Sequence, residues 1–259
     1  MRTMILAFLA TTACTTLGPT PATTGVSAIP VGRPGVELQA GIMPAFYLSD
    51  AANDGEGDSA GTAQVHAIIE PDRLLGTKGL ILGARKWGED GDSPIEPMIG
   101  YRRKLDSAFS IAGIAYGGHA DGSSSGASYQ ATRVGGELAV DAGLQSRWSW
   151  LSAHLMASAS ATYLDATGEY CVDMSGVAID CDEDSRRVDG AVEGVYTAAT
   201  AGVAIDIARR PQGSVQSIRL FLLGTIGMMP SLRDGKQMPS NNGYSSIGLG
   251  LSVGFGSPD

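Results

Sequence analysis

The stretch Ser246-Ile-Gly-Leu-Gly-Leu-Ser-Val-Gly-Phe255 splits cleanly by alternate residues. Ile247, Leu249, Leu251, Val253 and Phe255 fall on one face, and Ser246, Gly248, Gly250, Ser252 and Gly254 on the other. A β-strand sends successive side chains to opposite faces, so this strand is apolar on one side and small or polar on the other.

The same two-residue period recurs upstream. Val36, Leu38, Ala40 and Ile42 oppose Glu37, Gln39 and Gly41, and Ala63, Val65, Ala67 and Ile69 oppose Gln64, His66 and Glu70. Further strands are expected near 79–87, 95–104 and 109–116. Val134, Gly136, Leu138, Val140 and Ala142 then alternate with Arg133, Glu137 and Asp141. The longest alternation runs from Leu151 to Tyr163, and two more strands are expected near 191–208 and 215–228. With the closing strand this makes ten. The segments between them alternate long and short: acidic or polar stretches at 50–61, 89–92, 117–128, 165–189 and 230–243, and tight turns at 71–78, 105–107, 145–147 and 209–213. A soluble β-sandwich also yields alternating strands, but it gives no reason for so regular an alternation of connection length.

The closing strand resembles the final strand of bacterial outer-membrane β-barrels, whose signal is a polar residue, a spacer, Gly, two further residues and then alternating hydrophobics. Ser246, Gly248, Leu251 and Val253 match it, with Phe255 two residues on. A tail, Gly256-Ser-Pro-Asp259, follows where many barrels stop at the aromatic. The resemblance implies an all-β fold, a closed antiparallel transmembrane up-and-down barrel of about ten strands, with eight as the other count to test. It further implies outer-membrane lipid as surroundings and the barrel-assembly machinery as a partner. Short turns and both chain ends then face the periplasm, and long loops face outward. Aromatic residues are expected as girdles, with Phe46, Tyr47, Trp87, Tyr116, Tyr129, Tyr163 and Tyr244 at the outer end. Tyr101, Phe109, Trp148, Trp150 and Phe255 are expected at the inner end. Tyr196 and Phe221 do not fit either girdle.

Composition agrees with a barrel. No apolar run approaches the ~18 residues of a spanning helix. The 36 glycines and 6% aromatics leave little bulk for a large conventional core. The start, Met1-Arg-Thr followed by apolar Met4–Ala10, reads as an export signal over 1–13. Thr11-Thr-Ala-Cys14 resembles a lipoprotein cleavage site with lipid on Cys14, although Leu is usual where Thr11 stands. A plain cut after Val26-Ser-Ala28 is the alternative. Residues 14–34, rich in Thr, Pro, Gly and Ala, are expected to be a flexible periplasmic tether, 35–255 the barrel and 256–259 a tail. With Cys14 lipidated, Cys171 and Cys181 remain as an even pair in an oxidising compartment, so a disulfide in the longest loop is expected. Two free thiols are the alternative.

The faces opposite the lipid carry Glu37, His66, Glu70, Arg85, Glu96, Arg102, Arg133, Glu137, Asp141, His154 and Arg219. Charges of both signs inside a barrel of ten strands point to ion pairs that fill the interior, leaving at most a narrow passage. His119, close to Asp121 and Ser123–Ser125, offers the parts of a hydrolytic site at the outer rim. Gly122-Ser-Ser-Ser-Gly126 spells a nucleophile elbow but lacks the strand-to-helix context that motif needs. No cofactor or metal motif is present; the acidic residues in the 50–58, 89–92 and 180–184 stretches fit no EF-hand spacing. A net charge of −9 argues against nucleic acid as a partner. The expected role is non-enzymatic: a structural or assembly component of a cell-envelope complex, such as motility or export machinery, with loops docking partners. A small porin-like channel is the alternative, and a rim hydrolase the third reading.

Overall fold

The computed structural model describes residues 25–29, 31, 36–47, 60–69, 79–87, 95–124, 127–144, 150–172, 178–179, 186–208, 215–229 and 242–255. Almost all of these are strand. In chain order they are β1 (Val36–Tyr47), β2 (Ala60–Ile69), β3 (Leu80–Trp87), β4 (Ile95–Lys104), β5 (Phe109–Ser124) and β6 (Ala127–Leu144). There follow β7 (Leu151–Val172), the two-residue β8 (Ala178–Ile179), β9 (Arg186–Ala208), β10 (Val215–Met229) and β11 (Asn242–Phe255).

Every pairing is antiparallel, and each strand pairs with its sequence neighbour, apart from β8, which only edges the tip of β7. The ring closes where β1 meets β11, from Val36↔Phe255 to Tyr47↔Tyr244. Ten strands therefore form a closed up-and-down barrel. Closure leaves no unpaired sheet edge, which lipid would not tolerate because it offers no hydrogen bonds to a bare backbone. The β1–β11 ladder is interrupted at Met43 and Pro44, whose neighbours on both sides are paired. Proline has no N–H to give at that point.

The alternation in sequence becomes an inside and an outside. On β11, Ile247 and Leu249 are more than 60% exposed, while Ser246, Gly248, Ser252 and Gly254 are buried. Val134, Leu138, Ile99, Ile95, Leu220 and Ile226 likewise point outward. An apolar exterior of this extent on each of the ten barrel strands is a surface made for lipid rather than water. Tyr101, Phe109 and Trp150 stand outward at the end bearing the short turns, as a girdle requires.

Four expectations change. The stretch 117–128, expected as a polar loop, is mostly strand: β5 and β6 remain paired out to Ser124↔Ala127. Likewise β7 and β9 remain paired out to Val172↔Arg186, inside the loop expected over 165–189. Past the membrane both strand faces meet water, so apolar alternation is no longer required and the pairing continues without it. Tyr116, expected in the outer girdle, is buried inside the barrel. Finally, Gly25–Ile29 and Val31 lie within the stretch expected as a flexible tether, yet Val26, Ser27, Ala28 and Val31 are each only 2% exposed. They occupy the barrel interior, because luminal side chains hold their backbone there.

Candidate functional site: the barrel lumen

Of the eleven luminal residues expected from sequence, Glu37, Arg85, Glu96, Arg102, Arg133, Glu137, Asp141, His154 and Arg219 are all buried inside. The side chains of His66 and Glu70 lie outside the described set. Eight of these nine meet in three groups, each bridging different strands.

In the first, Glu96 on β4 accepts from Arg85 Nε on β3 at 2.6 Å and from Arg133 Nε on β6. One carboxylate thus ties two guanidinium groups. The Arg85 guanidinium lies 4.7 Å from the centre of the Tyr116 ring, a cation–π contact. The Tyr116 hydroxyl reaches Thr162 Oγ1 on β7 at 2.6 Å. This chain of contacts crosses the lumen from β3 to β7.

In the second, both terminal nitrogens of Arg102 donate to Glu37 Oε2 at 3.2 Å, linking β4 to β1. In the third, Arg219 on β10 grips Asp206 on β9 with two bonds, at 2.6 and 2.7 Å. His154 on β7 lies between two carboxylates, with Nδ1 at 3.3 Å from Asp141 and Nε2 at 3.7 Å from Asp206. Buried charges are tolerable only when paired and hydrogen-bonded, and these contacts pair them between strands, some adjacent in the ring and some two or three strands apart.

The chain upstream of β1 fills what remains. Asp141 Oδ2 accepts from the Ser27 hydroxyl at 2.8 Å, from the Ala28 N–H and from the Ile29 N–H at 3.1 Å. Arg219 donates to the Ile29 carbonyl at 2.7 Å, and Gln39 Nε2 to the Gly25 carbonyl at 3.1 Å. Val26 packs against Ile68, Ile81, Met98, Ile114 and Tyr116, an apolar patch on the β2–β5 side of the lumen. Ala28 sits against Ala112 and Ala139. Beside Gly25–Ser27 there remains a cavity of about 10 Å³, lined also by Glu137, Asp141, Ser158 and Thr200. That is room for about one water molecule.

Luminal glycines make this crowding fit. A Cβ on Gly250 would strike the Phe221 ring, and one on Gly135 would lie 2.6 Å from the Tyr116 ring. In both cases the glycine and the aromatic are cross-strand partners. A Cβ on Gly254 would strike the Val31 carbonyl, so the last strand makes room for the incoming chain. Asp206, Gln39, Tyr116, Tyr196, Phe221 and the 25–31 segment are the luminal members that the list of expected charges lacked. Strand phase was the available signal: Phe221 stands two residues from Arg219 and must share its face.

The remaining sequence candidates separate. His119 faces outward and bonds through Nδ1 to Thr132 Oγ1 at 2.8 Å, its cross-strand partner. Asp121 pairs in register with Gln130, and Gly122, Ser123 and Ser124 of the Gly122–Gly126 string continue β5, paired with Tyr129, Ser128 and Ala127, rather than entering a helix; Ser125 and Gly126 lie outside the described residues. Among the described residues no group of His, Cys, Asp and Glu is arranged to hold a metal ion. Cys171 sits on β7 opposite Ile179 and Arg187, whereas Cys14 and Cys181 lie outside the described residues, as do the acidic stretches. Ser246 and Gly248 face the lumen, and Leu251 faces outward. At the inner turn, outside the membrane, the Asp106 carboxylate accepts the N–H groups of Ala108 and Phe109 at 2.6 and 2.7 Å. Those two bonds hold its pKa below the ordinary aspartate value.

No protein-family model matches the chain, and no curated protein sequence does. Among solved structures it is similar to Neisserial surface protein A (NspA), at 13% identity and TM-score 0.34, covering 85% of this chain and 97% of that one. It is similar also to the translocator domain of autotransporter NalP from Neisseria meningitidis, at 12% identity and TM-score 0.38, covering 85% and 89%. The NanC porin matches at 13% identity and TM-score 0.26, covering 85% and 99%. The class follows from the chain's own closure, its lipid-suited exterior and its polar interior: it is an outer-membrane-type β-barrel.

Proposed function

We propose that this barrel serves the bacterial outer membrane as a non-enzymatic structural or assembly component of an envelope complex, with its outer hairpins docking partner proteins. The observation that supports this reading is the filled lumen. Ion pairs, two aromatic–glycine pairs, Gly25–Ile29 and Val31 crowd the described part of the lumen, and the cavity beside Gly25–Ser27 has room for about one water. What the barrel offers instead is paired strand structure carried past the lipid, in the β5–β6 and β7–β9 hairpins.

In the same reading Cys14 carries the lipid, and Cys171 and Cys181 close a disulfide in the outer loop. Ser246, Gly248, Leu251, Val253 and Phe255 form the signal that the barrel-assembly machinery reads, and 35–255 is the barrel domain. Native electrophoresis of mildly solubilised membranes tests the role. The wild-type chain should migrate in a larger complex. A variant whose β5–β6 hairpin is cut back in register to His119 and Thr132 should migrate alone, while still shifting on heating as a folded barrel does. A wild-type chain that migrates alone contradicts the proposal. A porin-like second reading is favoured by one observation, the manner in which the 25–31 segment is held.

A further inference from the structure

We infer that Gly25–Ile29 and Val31 form a displaceable seal, and that its release opens the lumen to small hydrophilic ions. The inference rests on the barrel reading above and goes beyond the structural role proposed there.

Three observations carry it. First, the segment is not part of the wall. No strand pairing includes Gly25–Ile29 or Val31, and every pairing that closes the ring is between other residues. Second, hydrogen bonds with the side chains of four wall residues hold it: Asp141, Arg219, Gln39 and, at 3.5 Å, Glu37. Third, three of those side chains have a second partner in the wall. Asp141 still faces His154, Arg219 still grips Asp206 with two bonds, and Glu37 still pairs with Arg102. Withdrawal of the segment therefore breaks no wall-to-wall ion pair, and the entering water solvates what is exposed.

Barrel size explains the space. Eight strands give an interior that side chains alone fill, and ten give a wider one. Here a single peptide chain takes up that extra width. It runs from Val31, beside Gly254 at the inner end, to Gly25, beside Leu223 well inside the lumen. With the chain withdrawn, a path of about that width remains, lined by charges of both signs that are already paired. Such a path discriminates weakly between small cations and small anions.

The test is the conductance of the full chain in planar bilayers bathed in potassium chloride. Ser27→Glu acts from the segment side, placing a carboxylate against Asp141 and leaving the wall untouched. Gly254→Leu acts from the wall side, where an added Cβ meets Val31 first, at its carbonyl. The wild type should be closed for most of the record. Either variant, shown by its heat-dependent gel shift to be a folded barrel, should be open roughly tenfold longer or more, the scale of losing hydrogen bonds to a charged acceptor. Reversal potentials in a salt gradient should stay near zero. Folded variants as silent as the wild type would overturn the inference. So would a wild type that conducts continuously, or a mature chain that begins at Ile29 and is closed nonetheless. Loss of the gel shift in the wild type would instead contradict the barrel itself, which keeps the two failures distinguishable.

Discussion

Phe221 and Gly250 face each other across β10 and β11, and the aromatic ring occupies the volume that any side chain at 250 would need. The pair shows how a glycine-rich chain builds a filled lumen. Bulk on one strand is seated over an absence on the next, without widening the barrel.

Replacing Gly250 with Val should therefore strain the lumen by about 1–3 kcal/mol, the usual cost of overpacking. Phe221→Ala alone leaves a hole. The double variant should be more stable than the sum of the two losses predicts, because each change removes the other's fault. Urea unfolding of the detergent-folded barrel, followed by tryptophan fluorescence, measures all four corners of the cycle. Strict additivity would mean that the two residues do not share space.

Glu96→Gln leaves Arg85 and Arg133 facing each other without the charge that binds both. The expected loss is about 3–5 kcal/mol, the range for breaking a buried pair by removing one partner. Replacing Arg85, Glu96 and Arg133 together with apolar residues of similar size should cost much less, because no buried charge is then stranded. The midpoint of heat unfolding on unboiled gels reads both variants.

Gly79 stands just before β3 with φ +89°, and a Cβ there would strike the Arg102 carbonyl on the neighbouring strand β4. Gly79→Ala should lower the unfolding midpoint through both backbone strain and this clash. Gly136→Ala, at a site where the nearest atom to an added Cβ is 3.5 Å away, should be tolerated. Equal losses in the two variants would contradict the assigned geometry.

Asp106 supplies a pH dependence whose sign follows from its environment. Its folded pKa is depressed because it accepts the N–H groups of Ala108 and Phe109 as a carboxylate. Its contribution to stability is therefore complete above the pKa of an unfolded aspartate, and is lost as pH falls through the lower folded value. Unfolding midpoints measured downward from about pH 4, where a free aspartate begins to protonate, should fall more steeply in the wild type than in Asp106→Ala. Parallel slopes would remove Asp106 as a contributor.

Much of this was legible in the sequence because a barrel obeys a single simple period. Ile247, Leu249 and Leu251 could face only lipid, and Arg133, Glu137 and Asp141 only the lumen. The phase of Arg219 also fixed Phe221 inside, and that of Ser110 did the same for Tyr116. Reading aromatics as girdle residues hides this, since position along a strand and phase around it are independent. The outer hairpins were not legible because Gly117-Gly-His-Ala-Asp-Gly lies beyond the lipid, where alternation carries no energetic value. The seal was hidden for a different reason. Val26-Ser-Ala28 has no period and matches a signal-cleavage pattern, and its place in the lumen depends on Asp141, more than a hundred residues away.

The central claim, a closed barrel with a filled interior, is tested most directly by heating. Outer-membrane fractions run on denaturing gels with and without boiling should show two mobilities for this chain, the unboiled form migrating as a compact barrel. A band confined to the soluble fraction, with the same mobility before and after boiling, would contradict the barrel and every luminal assignment that depends on it.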